Sequence, residues 1–282
     1  MSDVGELQAD GKGFLEPYLP QHACNTTDDE TLSLNSRTSN SPRRPSAKHG
    51  DLPFVTLAYA SSLDSMIALA PGARTTLSGP ETKCMTHFLR LRHDAILIGA
   101  GTAVTDDPGL NCRYPGATLV DQPQPVIVDP NGRWTVQDKK ATRLAIERAG
   151  KAPWVVARQR TASAEPLEAI GGKVLLFDQS ALDSASQSDI SWHTILRQLK
   201  QNGIESVMIE GGATVINALL ALPDLVDAVI ITIAPTFLGQ GGVAVSPPAK
   251  GAGRDRTNAA WLQQTSWRQF GNDVVLCGRL AT

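Results

Sequence analysis

Clustered metal ligands, long apolar runs and an excess of charge of one sign are all missing from this 282-residue sequence. The cysteines are Cys24, Cys84, Cys112 and Cys277; none forms a C-x-x-C pair, and the five histidines are scattered. That pattern argues against a structural zinc site, and dispersed cysteines fit a reducing compartment. A formal net charge of −2 argues against bulk attraction to nucleic acid or to anionic membranes. The longest apolar run, near Val226–Pro235, is one strand long, well short of the roughly 20 residues of a membrane span. The first residues, MSDVGELQAD, are acidic and lack an apolar stretch, unlike a secretory signal or a transit peptide, so the expected location is the cytoplasm.

What is present divides into two parts. Residues 1–50 are rich in Ser, Thr, Asn, Asp and Pro without a persistent apolar period, and read as a disordered extension. Within it, PRRPS (Pro42–Ser46) reads as a solvated tail rather than a docking site. Removal of residues 1–48 is expected to leave activity and stability nearly unchanged.

Residues 51–282 read as one α/β domain. PFVTLAYA (Pro53–Ala60), DAILIGA (Asp94–Ala100), QPVIVD (Gln124–Asp129), APWVVA (Ala152–Ala157), KVLLFD (Lys173–Asp178) and ESVMIEG (Glu205–Gly211) are apolar strands. Pro80–Arg92, with Cys84, Phe88 and Leu91 on one face, Ser191–Asn202, with Ile195 and Leu199 four apart, and Ala213–Leu222 are helical. Continuous Val/Ile/Leu strands alternating with helices imply a mostly parallel central sheet flanked by helices. DAVIITIAP (Asp227–Pro235) and NDVVLCGRL (Asn272–Leu280) have only a polar loop, Ala249–Asn258, between them, which implies an antiparallel C-terminal edge. The near absence of polar residues in DAVIITIAP calls for cover from a second copy of the chain or from its own chain, and a homodimer is expected.

Ligands gather at the carboxyl ends of strands in such sheets, and two of those ends carry glycines. In ILIGAGTAVTDDPGLNCR (Ile96–Arg113), Thr102 can cap a short helix, and Asp106 with Asp107 can bind metal, hold a ribose hydroxyl or close a turn; the turn leads on spacing. In VMIEGGATVINALL (Val207–Leu220), Gly211 and Gly212 stand before a helix whose free N–H groups can cradle a phosphate. A tight strand–helix turn explains the same residues equally well, and no G-x-G-x-x-G fingerprint occurs. Asp64, in a Ser-rich loop, reads as a turn residue.

Taken in order, TLAYASSLDSMIAL, RTTLSGPETKCMTHFLRLRHDAILIGAGTAVTDDPGLNCR, APWVV, VMIEGGATVINALL and VIITIAPTFLGQGG resemble the 2,5-diamino-6-ribosylamino-4(3H)-pyrimidinone 5′-phosphate reductases of fungi and archaea. They also resemble the reductase domain of the bacterial bifunctional deaminase–reductase. The usual glycine after SLD is Ser65 here. The resemblance implies a dihydrofolate-reductase-like fold, a homodimer, NADPH as hydride donor and no metal. It implies reduction of the ribosyl carbon, through the ring-opened imine, to a ribitylamino product. Thr102 and Asp106 match residues meeting the nicotinamide nucleotide. Gly212 through Ala218, including Ala213, Thr214 and Val215, match the dinucleotide-cradling turn, which Gly211 opens. Arg90, Leu110, Arg113 and Glu210 match substrate-contacting positions, and a guanidinium fork suits a sugar phosphate. The H-x-E and P-C-x-x-C ligands of a zinc deaminase do not occur.

Two other readings compete: a pterin or folate reductase of the same fold, which would not need the two arginines for a phosphate, and a redox-sensing NADPH-binding protein, which would not need Glu210. Arg158 and Arg160, just past APWVVA, are expected to select NADPH over NADH by holding the ribose phosphate.

Overall fold

A computed structural model describes residues 4–20, 50–177, 191–251 and 255–281. The PRRPS run, Asp178 and residues 252–254 of the polar loop lie outside the described residues.

The chain folds around a nine-stranded sheet. Its strands are β1 (Phe54–Ser61), β3 (Ala95–Gly99), β4 (Gln124–Val128), β5 (Trp154–Ala157), β6 (Lys173–Leu176), β7 (Ser206–Gly211), β8 (Ala228–Ile233), β10 (Leu262–Phe270) and β11 (Asp273–Leu280), in the order β10-β11-β8-β1-β7-β3-β4-β5-β6. From β8 to β6 all neighbours are parallel, and β11 and β10 add an antiparallel edge. A small antiparallel pair, β2 (Met66–Ala68) and β9 (Val243–Ala244), stands apart.

Alternation along each strand divides the core into two layers. In β3, Leu97 faces a cluster with Leu57, Ile209 and Val229, covered by α6 (Trp192–Gln201) and α7 (Ala213–Leu220). Ile96 and Ile98 face the opposite side with Ile127, Ala103, Trp134 and Leu167. Farther along that side, Phe54, Met208 and Ile230 meet Met85, Phe88 and Leu89 of α2 (Pro80–Leu91). The start of α2 is held from far along the chain. The buried Asp273 carboxylate accepts the Gly79 N–H at 2.8 Å and the Thr82 hydroxyl at 2.5 Å, satisfying donors that a helix start leaves open.

Three expectations are changed or decided by the fold. Residues 4–20 are part of the fold. α1 (Ala9–Leu15) and the 3₁₀ turn after it bury Leu7, Leu15, Tyr18 and Leu19 against the α2 and β11 side of the sheet. The Leu7 N–H donates to the Tyr114 hydroxyl at 3.0 Å, Arg279 donates to the Pro17 carbonyl at 2.9 Å, and Arg92 pairs with Glu16 at 2.7 Å. A seven-residue helix is too short to show a period, and its few apolar residues are diluted by the polar stretch that follows.

Second, β8 is an interior strand between β1 and β11, so its apolar run is mostly covered by its own chain. Only Ile231 and Ile233 stay half-exposed. Third, the segment before β11 contains β10, whose polar, mostly exposed residues form an edge without a hydrophobic signature.

Candidate active site

The route of the chain brings the two glycine-marked ends together. After β1 it moves outward through β3, β4, β5 and β6, then returns to insert β7 between β1 and β3. Such a reversal leaves a crevice at the carboxyl ends of the strands. Gly99 leads from β3 directly into α3 (Ala100–Thr105), and Gly212 leads from β7 into α7. Neither helix start carries a side-chain cap, so at α7 the first backbone N–H groups remain donors for a ligand.

The two turns touch. A Cβ at Gly212 would stand 2.8 Å from the Thr102 hydroxyl, and one at Gly99 would stand 3.0 Å from Val215. Gly211 adopts φ +126°, a conformation that glycine alone holds without strain. Glycine is therefore required at Gly212 by close approach and at Gly211 by backbone conformation.

Between these turns and the strand β2 side lies a cleft of about 900 Å³, lined by Thr102, Asp106, Gly212, Ala213, Thr214 and Val215, with Arg158 on the β5 side. The two adjacent carboxylates take different roles. Asp106 lines the cleft, and burial raises its carboxyl pKa against the opposing pull of Arg74. Asp107 accepts the Lys140 N–H at 3.1 Å, at the start of α4 (Lys140–Ile146). Gly211 itself does not line the cleft. Arg160 is directed elsewhere: its fork pairs with Glu168 at 2.8 and 2.7 Å on the exposed surface. Of the two arginines expected at the ligand, Arg158 lines the cleft and Arg160 is turned away from it.

Arg90, Leu110, Arg113 and Glu210 form a second group beside the β7 end. Arg90 donates from Nε and Nη2 to the two Glu210 oxygens at 2.8 and 2.7 Å, and from Nη1 to the Asn111 carbonyl at 2.9 Å. The two side chains are only 13% and 19% exposed. Arg90 is therefore not a second open fork for a phosphate. It fixes the Glu210 carboxylate, while Arg113 is the exposed guanidinium. Leu110 is buried at φ +53°.

One residue of this group escaped the sequence reading. His87 is buried, accepts the Arg113 backbone N–H on Nδ1 at 3.0 Å, and sets Nε2 3.0 Å from Arg113 Nη2. Burial, with Arg90 and Arg113 nearby, pushes its pKa down to about 3, so the ring is neutral at pH 7. The signal was the three-residue step from His87 to Arg90, which puts both on one helix face.

Asp64 does more than turn the chain. It accepts the Ser62 hydroxyl at 2.5 Å and the Leu238 and Gly239 N–H groups at 3.1 and 2.8 Å. These bonds hold its carboxyl near a pKa of about 2 and tie the loop after β1 to the loop after β8.

The model of the RibD C-terminal domain family matches residues 53–276, all strands from β1 to β10 and the first half of β11. The chain belongs to the RibD C-terminal domain family. It is 42% identical over 231 residues to the 2,5-diamino-6-ribosylamino-4(3H)-pyrimidinone 5′-phosphate reductase of Saccharomyces cerevisiae, covering 82% of this chain and 88% of that protein. To the reductase of the same name from Eremothecium gossypii it is 43% identical, covering 98% of each. The solved structure of the S. cerevisiae riboflavin biosynthesis reductase Rib7 aligns with a TM-score of 0.67 and 37% identity, over 83% of this chain and 92% of that one. RibD of Acinetobacter baumannii aligns with a TM-score of 0.66 and 27% identity, over 83% of this chain and 59% of that one. The RibD-type fold is dihydrofolate-reductase-like, as the resemblance implied. The match to full-length relatives takes in the N-terminal segment as well, so residues 4–20 lie outside the RibD domain boundary but inside the folded unit.

Gly212→Val is expected to weaken dinucleotide binding more than binding of the pyrimidine. Its Cβ would displace the Thr102 hydroxyl and its branches would stand before the α7 N–H groups. Separate titrations of the two ligands check this, and equal losses would contradict the division into two groups.

Proposed function

We propose that this chain uses NADPH to reduce the ribosyl side chain of 2,5-diamino-6-ribosylamino-4(3H)-pyrimidinone 5′-phosphate to the ribitylamino product. It is an oxidoreductase of riboflavin biosynthesis, as its relatives are. The observation that carries the fuller reading is the geometry at the β7 end. Glu210, in the substrate group, and Gly212, on the wall of the cleft, are two residues apart. Leu110 follows Asp106 by four. Donor and acceptor of a hydride would thus meet across one short stretch of backbone.

The cleft fits a dinucleotide. Its volume of about 900 Å³ is at the upper end for a ligand pocket. The uncapped α7 start suits a diphosphate, with Gly212 through Val215 around it, Thr102 and Asp106 toward the nicotinamide, and Arg158 toward the adenosine. NADPH bound there supplies the hydride that reduces the ring-opened imine carbon.

The protein's own part is placement. Arg90 holds both Glu210 oxygens in one orientation, so the carboxylate meets the substrate in a fixed geometry. His87 Nδ1 accepts the Arg113 backbone N–H, which holds the imidazole beside the Arg113 guanidinium. Arg113 is the exposed guanidinium of this group, and a phosphate oxygen of the substrate suits it. This phosphate seat favours the pyrimidine nucleotide over a pterin or folate. The pairing of Glu210 with Arg90 beside it favours an enzyme over a redox sensor.

The reading includes a cytoplasmic homodimer. Tyr59, Ile231 and Ile233 form a half-exposed apolar strip on β1 and β8, and a second copy would bury it. Light scattering at micromolar protein should give twice the chain mass; a monomer would contradict this part. The activity itself is tested by the loss of nicotinamide absorbance. It should require the pyrimidine phosphate, and dihydrofolate should not replace it.

A further inference from the structure

One wall of the cleft is not part of the central sheet. Among the described residues β2 and β9 pair only with each other, yet Ile67 and Ala68 of β2 and Val243 of β9 line the cleft. The main sheet therefore does not fix where this wall stands. Its seat has to come from the loops that lead into it, residues 62–65 before β2 and 234–242 before β9.

Those two loops cross at Asp64. Its Oδ1 accepts the Ser62 hydroxyl at 2.5 Å and the Leu238 N–H at 3.1 Å, and its Oδ2 accepts the Gly239 N–H at 2.8 Å. The Ser62 oxygen in turn accepts the N–H of Met66, the first residue of β2, at 3.0 Å. One carboxylate and one hydroxyl thus connect the loop after β8 to the start of β2. Around this tie, the Leu63 N–H donates to the Thr236 carbonyl at 2.8 Å and the Val245 N–H to the Ser65 carbonyl at 2.9 Å. The ribbon itself is close-packed: a Cβ at Gly242 would stand 2.8 Å from the Ala68 carbonyl oxygen and 3.1 Å from the Met66 side chain. Three donors converging on one side chain call for a carboxylate. An amide offers one acceptor oxygen and would turn its NH₂ group toward a donor, whereas a simple turn accepts Asn as readily as Asp.

We propose that Asp64 is a positioning residue for the cofactor: by tying the loop after β8 to the start of β2, it seats the β2–β9 ribbon as the wall against which the dinucleotide is held. The inference rests on the cofactor reading above. Asp64 is not on the wall of the cleft and acts through Ile67, Ala68 and Val243. Loosening the tie lets that wall move and weakens its contact with the dinucleotide. Arg90 and Glu210 stand on α2 and β7, outside the ribbon, so the substrate group keeps its geometry.

The test separates the two ligands. NADPH is titrated into the full-length wild type, Asp64→Asn and Ser62→Ala, and initial rates are read at varied pyrimidine ribosyl phosphate with NADPH saturating for each. Asp64→Asn has the same shape but cannot satisfy all three donors, and should lower NADPH affinity by about tenfold, the equivalent of one hydrogen bond. The KM for the pyrimidine should stay within about twofold. Ser62→Ala cuts only the link to Met66, and should weaken NADPH by about threefold or more with the same unchanged KM. Unchanged NADPH affinity in folded Asp64→Asn overturns the assignment, and so does an equal loss for both ligands, which would make Asp64 a general support of the fold. If Asp64→Asn does not fold, Ser62→Ala decides by the same two criteria. A wild type that does not bind NADPH overturns the cofactor reading and this inference with it.

Discussion

Arg90→Met should reduce turnover by about a hundredfold or more, because a misplacement of about 1 Å in a positioning group costs that much. The substitution removes all three hydrogen bonds that Arg90 makes to Glu210 and Asn111. It also leaves the Glu210 carboxylate mostly buried without its cation, which typically costs about 3–5 kcal/mol of stability. The melting temperature should then fall by roughly 2–4 °C for each kcal/mol. Adding Glu210→Gln removes the stranded charge. In the double variant stability should partly return, while turnover should not, on the proposed reading that Glu210 meets the substrate. Full recovery of turnover in the double variant would make the pair purely structural.

The N-terminal segment carries the second large effect. Deleting residues 1–20 should lower the melting temperature by many degrees and promote aggregation. It uncovers the apolar face on which Leu7, Leu15, Tyr18 and Leu19 pack with Phe88, Phe270 and Val275. Leu15→Ala isolates the packing term: Leu15 is fully buried, and such truncations cost about 2–5 kcal/mol. The segment also steadies the substrate side of the site. Leu7 binds Tyr114, next to Arg113, and the Cys84 thiol of α2 donates to the Gly5 carbonyl at 2.7 Å. A raised KM for the pyrimidine in the surviving folded fraction is expected, read by initial rates at varied substrate. A truncated chain as stable and active as the full one would restore the view of this segment as a bystander.

These two predictions mark where a sequence reading works and where it stops. The buried parallel strands were legible because each carries a continuous apolar run that no helix period explains. The turns at Gly99 and Gly212 were legible as positions, since a glycine after a strand and before a helix signals close approach. The physical cause at Gly212, contact with Thr102, needed the fold that brings β3 and β7 side by side. α1 was missed because its contacts are long-range and its apolar residues few. β10 was missed because an edge strand with exposed polar residues lacks both hydrophobic periods.

The arginines show the same limit at the site. Sequence position cannot tell which carboxylate a guanidinium meets. Arg90 found Glu210, 120 positions away, and Arg160 found Glu168 on the next helix, α5 (Ala164–Ala169). Arg133, which also lines the cleft, sits five residues past the end of β4, with nothing in the local pattern to distinguish it from a solvated loop charge. Only the buried Asp129 and Trp134 on either side give its direction meaning.

The central claim is that a hydride passes from a nicotinamide in the cleft to the sugar carbon beside Glu210. Isotope transfer tests this most directly. NADPH carrying deuterium at the transferring position of its nicotinamide ring is incubated with the pyrimidine ribosyl phosphate and the full-length chain, and the product is read by mass spectrometry and NMR. The account predicts one deuterium per ribitylamino product, on the carbon bound to nitrogen, with none gained from deuterated water. Product without that label, or NADPH oxidised with no reduced sugar carbon, would contradict it.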